Sequence, residues 1–219
     1  IRTELFSPIL ISLGTAVVAT FFSFVIGIAL AHWRSAFKKS WGDVLDGLLL
    51  LPVVLPPTVV GLLLLLFFGR MSPVGQFLSS LGLSVVFTPA GTVIAAFVIS
   101  FPLMYQSALA AFRLISRELI DDARTLGLGE WRILLHVKIP LALPGIAAGT
   151  ILSFVRALGE FGATLMLAGN IPGKTQTLPV AIFFSVEAGE TKFALLLAAI
   201  LISISGAAVY LLGRLSREK

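Results

Sequence analysis

Residues Ser116–Pro144, SRELIDDARTLGLGEWRILLHVKIPLALP, decide how the rest of the chain is read, because they form the longest polar interval between strongly apolar segments. Arg117, Glu118, Asp121, Asp122, Arg124, Glu130, Arg132, His136 and Lys138 all fall inside it. Ser116 suits a helix N-cap, and Glu118 in the first turn suits the positive end of the helix dipole. Arg117–Asp121 at i,i+4 and Asp121–Arg124 at i,i+3 are spaced to pair along one face. Leu119, Ala123 and Leu126 make an apolar stripe on the other. Gly127 stops the helix, since glycine takes the left-handed conformation without a Cβ penalty. A second short helix starts near Gly129–Glu130 and is expected to end by Pro140, whose fixed φ and missing N–H break the pattern. The interval reads as a compact helix–turn–helix between two membrane spans.

The flanking spans follow from composition. The chain is 58% hydrophobic and only 12% charged, with a mean hydropathy of +1.04. A soluble domain of 219 residues needs far more polar surface, so the class is integral membrane protein. A hydrocarbon core about 30 Å thick takes about 20 apolar residues per helix. Five segments qualify, at about residues 8–31, 47–68, 89–112, 145–168 and 193–212. The expected fold is therefore all-α, one transmembrane domain over residues 1–219, with a polar loop at about 113–141. No cysteine is present, which excludes disulfides and thiol chemistry.

The net charge of +5 is placed unevenly. His32, Arg34, Lys38 and Lys39 follow span one; Arg113, Arg117, Arg124, Arg132 and Lys138 follow span three; Arg214, Arg217 and Lys219 follow span five. The alternate intervals carry Arg2, Arg70 and the pair Lys174 and Lys192. By the positive-inside rule the N-terminus is outside and the C-terminus cytoplasmic. The basicity is a topology signal, and no nucleic-acid partner is implied. No cleavable signal peptide is expected, because the first apolar run is too long and lacks a small-residue cleavage site. The sequence starts at Ile1 rather than Met, so a few preceding residues are expected.

Two spans carry unusual residues. In span two, Pro52, Pro56 and Pro57 each remove a donor and clash one turn back, so this half is not a straight helix. It is either a kinked helix or a hinge beside a pathway, since broken backbone at membrane depth is tolerated only against protein or a water-lined cavity. Span three has a single kink site, Pro102. In span four, Arg156 and Glu160 stand at i,i+4 near the middle, on one face. A charge at the bilayer centre costs about 3 kcal/mol even on insertion scales, so both should face the bundle interior or water. Ser153, Gly159, Gly162 and Thr164 surround them, small residues that allow close helix contact. The pair either holds helices together or lines a route for a polar solute, for which Arg156 suits an anion. Gly145 and Gly149, four apart, point to packing. Residues 168–175, AGNIPGKT, fit a loosened phosphate-loop pattern, but they follow a membrane helix, contain Pro172 and face outside. They read as an external gate or docking loop leading into a short interfacial helix at about Pro179–Ala188.

The polar interval resembles the loop of permease subunits of ATP-binding-cassette importers, which has the form E-A-A, three residues, Gly, nine residues, I-x-L-P. Asp121-Asp122-Ala123, Gly127 and Val137-Lys138-Ile139-Pro140 fall at those spacings, with departures at Asp121 and Asp122. Leu51–Gly61, Ser100–Met104, Leu143–Ile146, Leu158–Thr164 (LGEFGAT) and Asn170–Pro179 (NIPGKTQTLP) extend the resemblance over nearly the whole chain. They look like the oxyanion branch of this family, closest to molybdate permease subunits. The resemblance implies a type I importer permease fold in which the loop docks into a groove of the ATPase. Glu118, Asp121, Asp122, Ala123, Arg124, Gly127, Trp131 and Pro140 would form that docking loop. Arg156, Glu160, Thr164, Pro52, Pro56 and Pro57 would be pathway or gate residues. The implied partners are a second copy of the chain, two cytoplasmic ATPase subunits that bind ATP and Mg, an external or periplasmic oxyanion-binding protein, and membrane lipid. The implied location is the cytoplasmic membrane of a bacterium or archaeon. Sulfate and thiosulfate permeases share LGEFGA and the following GKT-x-TLP run but usually carry an extra N-terminal span, so five spans favour molybdate or tungstate.

Other classes fit the residues less well. His32 and His136 both fall in polar segments and no Gly-x-Ser-x-Gly occurs, which argues against an intramembrane enzyme. No cofactor or metal site is expected in this chain. A secondary anion carrier would show internal repeats and several intramembrane acids, whereas Glu160 alone lies well inside a span. A structural or assembly protein leaves the hinge prolines and the spaced loop unexplained.

Overall fold

The computed structural model describes residues 2–36 and 41–215. Lys38, Lys39, Arg217 and Lys219, which carry part of the charge asymmetry, lie outside the described residues. In chain order the helices are α1 (Arg2–Ala36), α2 (Trp41–Val54), α3 (Pro57–Phe68), α4 (Pro73–Ser80), α5 (Pro89–Arg113) and α6 (Arg117–Thr125). There follow α7 (Glu130–Ile133), a π-helical turn (Leu134–Lys138), α8 (Ile139–Leu158), α9 (Gly162–Ala168), α10 (Leu178–Glu187) and α11 (Thr191–Leu215). Among the described residues there is no strand. Four helical stretches among the described residues are long and apolar enough to cross a membrane, with a fifth if the bent pair α2–α3 is counted as one span.

The bundle is organised on α5, which buries 56% of its apolar window against 11% for α11. Its largest interface is with α1, and small side chains are the reason. Ala16 and Ala19 of α1 cluster with Ala96 of α5, and Ala31 of α1 clusters with Ala108 of α5, all tightly buried. Two hydroxyl pairs cross this interface, Thr15 to Thr92 at 2.9 Å and Ser23 to Ser100 at 3.4 Å. On its other side α5 receives α8. A Cβ on Gly145 would lie 2.6 Å from Ala111 Cβ, and one on Gly149 2.6 Å from Ser107 Cβ. The glycine pair is therefore what lets α8 lie against α5. Ser153 adds a hydrogen bond to the Ser100 carbonyl at 2.7 Å.

The prolines of span two act unequally. Helix α2 runs through Pro52, and the chain breaks only at Leu55–Pro56, where α2 and α3 diverge by 108°. Pro57 then opens α3, where its missing N–H costs nothing. A break this sharp is a corner rather than a kink.

Two expectations about helix ends need correction. The helix beginning at Glu130 does not end by Pro140. It widens into the π-helical turn, in which the Ile139 N–H reaches back five residues to Leu134, and continues as α8 to Leu158. A π adjustment re-satisfies backbone groups freed near a proline, so the helix survives it. Span four, in contrast, is not continuous over 145–168: it stops at Leu158, and α9 begins at Gly162.

Candidate functional site

The two broken spans lie side by side. Helix α3 packs on α9, and glycines set the separation. A Cβ on Gly61 would lie 2.7 Å from Ala163 Cα and 2.7 Å from Met166 Cβ. One on Gly162 would lie 3.2 Å from both Pro57 Cβ and Thr58 N. The breaks at Pro56–Pro57 and Gly159–Phe161 therefore abut. Interrupted helices in contact put irregular backbone from two segments in one place, which membranes tolerate only where it is buried in protein or lines a water-filled cavity.

Arg156 and Glu160 belong to this corner. Arg156 lies in the last turn of α8, where a cation suits the helix end. Its Nη1 is 2.8 Å from Glu160 Oε2, and the other carboxylate oxygen accepts the Ala163 N–H at 2.8 Å. Glu160 therefore ties the end of one half-helix to the start of the next. It is buried at 2% exposure, whereas a third of the Arg156 side chain is accessible. The i,i+4 spacing does bring the two together, but across a helix end rather than along a continuous face. Thr164, in the first turn of α9, is buried, and its hydroxyl has no hydrogen-bond partner among the described residues. Of the sequence-predicted gate residues, Pro56, Pro57, Glu160 and Arg156 converge on the breaks. Pro52 lies earlier, inside α2.

The polar interval Ser116–Pro144 is a separate feature. Ser116 caps α6 by accepting the Leu119 N–H at 3.3 Å. At the other end Gly127 has φ +82, with the Leu128 N–H bonded to the Ala123 carbonyl at 3.1 Å and the Gly127 N–H to the Arg124 carbonyl at 2.9 Å. This is a Schellman stop, the geometry for which glycine is suited. Asp121 pairs with Arg124 at 2.8 Å, and Arg124 also reaches Glu130 at 2.7 Å, tying α6 to α7. Both carboxylates raise the Arg124 pKa above its ordinary value, Glu130 most. Arg124 thus shapes the turn internally. No ion pair joins Arg117 to Asp121 among the described residues, because Arg124 holds that carboxylate. Ala123 is buried, while Glu118, Asp122, Leu126 and Trp131 point outward, the last two at 81% and 71% exposure. Pro140 is exposed too, beyond the π turn. Two large apolar side chains thus stand exposed beside carboxylates on this interval.

The loop before α10 does not cradle phosphate. The Lys174, Thr175 and Gln176 N–H groups all turn onto one carbonyl, that of Ile171, at 2.9–3.2 Å. Thr175 is fully buried, and its hydroxyl accepts the Ile171 N–H at 3.2 Å. Ser12 of α1 accepts the Leu178 N–H at 2.7 Å and pins the loop to the bundle.

Sequence reasoning missed one cluster. Asp46, near the start of α2, receives the Tyr105 hydroxyl, Arg34 Nε at 3.2 Å and Arg113 Nη2 at 3.3 Å. Arg34 also holds Asp43 at 2.8 Å. The only signal in the sequence was two aspartates just ahead of an apolar run.

Comparison with known proteins places this geometry in context. The sequence profile of the family described as "Binding-protein-dependent transport system inner membrane component" matches residues 23–218. The molybdenum transport system permease protein ModB of Escherichia coli (strain K12) is 41% identical, over 96% of this chain and 94% of that protein. The protein of the same name from Haemophilus influenzae is 39% identical, over 90% and 88%. Among solved structures, a bacterial ABC transporter involved in import of the acidic polysaccharide alginate superposes with a TM-score of 0.74 at 18% identity, covering 98% of this chain and 79% of that one. The inward-facing MetNI methionine ABC transporter superposes at 0.71, with 18% identity, over 98% and 97%. The fold is that of ABC-importer permeases.

Proposed function

The chain belongs to the inner membrane components of binding-protein-dependent transport systems, and from that membership we propose that it forms the membrane pathway of an ATP-driven importer of molybdate or tungstate. It is a multi-pass permease subunit and not itself an enzyme; the ATPase is a separate chain. The observation that carries the reading of its pathway is the abutment of two broken spans, with Arg156 partly accessible beside them. A fixed guanidinium at such a corner favours an anion over a cation or a neutral solute.

In this reading two copies of the chain enclose the route. Each docks one ATPase subunit, which binds ATP and Mg, through the surface bearing Glu118, Asp122, Leu126 and Trp131. The docking loop is cytoplasmic, the N-terminus is outside, and an external binding protein delivers the oxyanion to the opposite face. ATP binding draws the ATPases together, the α6–α7 segments move with them, and the α3–α9 contact opens.

The test is ATP hydrolysis by the reconstituted complex of permease, ATPase and binding protein. Molybdate and tungstate should each stimulate it. Stimulation by sulfate or thiosulfate alone would transfer the chain to that cargo, and hydrolysis indifferent to every oxyanion would sink the importer reading.

A further inference from the structure

Asp46 sits where three helices meet. Its carboxylate takes one hydrogen bond from the Tyr105 hydroxyl of α5, one from Arg113 at the end of α5 and two contacts from Arg34 of α1 at 3.2 Å. Arg34 is 5% exposed. Its guanidinium lies against Gly42, where a Cβ would come within 2.2 Å of Cζ. A side chain at that position would displace the arginine, so the glycine is part of the joint. Two cations, two carboxylates and a phenol are thus gathered at the start of the one span that turns through 108°. Such a group is costly to assemble, and removing its central anion takes from the buried Arg34 one of the two carboxylates that hold it.

The docking segment reaches the same joint from the other side. Lys138, in the π-helical turn that joins α7 to α8, is 4% exposed. Its Nζ lies 3.4 Å from His32 Nδ1 and 3.5 Å from Ser35 Oγ, both on the last turns of α1. His32 also stands edge-on to Phe112 of α5, with ring centres 6.3 Å apart. Arg34 lies between His32 and Ser35 in sequence. A continuous set of contacts therefore runs from the docking loop through Lys138 to α1, through Arg34 to Asp46, and into α2. Beyond α2 are the corner at Pro56 and the α3–α9 contact. Coupling between distant sites is carried by connected, packed elements, and the corner stands at the end of this set of contacts.

We infer that Asp46 is a positioning residue for transport: it couples movement of the docking loop to the broken span by fastening α2 to the loop-bearing ends of α1 and α5. This rests on the importer reading of the chain. The residue touches no cargo. Its effect should appear in how much ATP is spent per anion moved, and not in anion affinity.

The experiment is Asp46→Asn in the complete complex, with ATP hydrolysis and molybdate uptake measured in the same vesicles. The expected result is hydrolysis within about twofold of wild type with uptake down about tenfold, a factor typical of coupling between sites. Asp46→Glu should restore part of the ratio, and Tyr105→Phe, which keeps every charge, should reproduce a milder form of the defect. A ratio of ATP to anion equal to wild type in both Asp46→Asn and Tyr105→Phe overturns the inference. So does hydrolysis and uptake falling together in proportion to the amount of assembled complex, which is what a merely structural role produces. If the wild-type complex itself shows no oxyanion-stimulated hydrolysis, the importer reading fails instead.

Discussion

Glu160 holds Arg156 with one carboxylate oxygen and the backbone N–H of Ala163 with the other, both at 2.8 Å, so a single buried acid joins two half-helices.

Because of that double role, removing the two charges is not symmetric. Glu160→Leu should destabilise the protein by about 3 kcal/mol, since it strands a cation and uncaps α9 together. Arg156→Leu combined with Glu160→Gln keeps an acceptor for Ala163 and should recover most of the melting temperature in detergent. Arg156→Leu with Glu160→Leu should recover less. Slow oxyanion uptake by the stable Leu/Gln double variant places Arg156 on the pathway, and wild-type uptake assigns it to structure.

Gly127 has open space where a Cβ would go, so a substitution there acts through its φ of +82 and not through crowding within the chain. Gly127→Val should strain the turn by about 1–2 kcal/mol, with the spans still inserted. We expect loss of co-purifying ATPase. Gly127→Asn, which tolerates the left-handed region, should keep more of it. Full ATPase binding by the valine variant would remove the docking role of the loop.

Gly61 is the tightest point of the α3–α9 contact. Gly61→Ala should push the half-helices apart and cost about 1–3 kcal/mol, as overpacking does. Uptake should fall further than the melting temperature implies. Unchanged uptake with unchanged stability would show that the contact is loose in the membrane.

Orientation is testable because the chain has no cysteine of its own. Cysteines at Met71, 92% exposed, and Lys174, also exposed, should react with an impermeant thiol reagent added outside. A cysteine at Thr125 should not. Thr175 is unsuitable, because its side chain is buried and closes the loop. Reversed labelling would overturn the topology.

Much of the fold was legible in the residues, and for identifiable reasons. Apolar run length marks a span wherever it falls, and Gly127 marks a stop because its backbone requirement is local. The Pro56–Pro57 pair announces its break for the same reason. The break after Leu158 was not legible, since no proline marks it and Glu160 reads as an isolated charge within an otherwise apolar span. Pro140 misled in the opposite sense: the rule that proline ends helices assumes regular α geometry, and a π turn relaxes it. Asp46 was invisible because its partners lie 12, 59 and 67 residues away. Such pairings are made by helix packing, which no short pattern records.

The abutting breaks have a cost apart from transport. Peptide groups that lose their helical partners near Pro56 and near Phe161 call for water, and water threaded through a bilayer conducts protons and small ions. A cell running such an importer would leak its own membrane gradient through this seam whenever α3 and α9 parted without cargo. On the importer reading, the glycine-tight fit of Gly61 on Ala163 would act as an insulator of the resting protein.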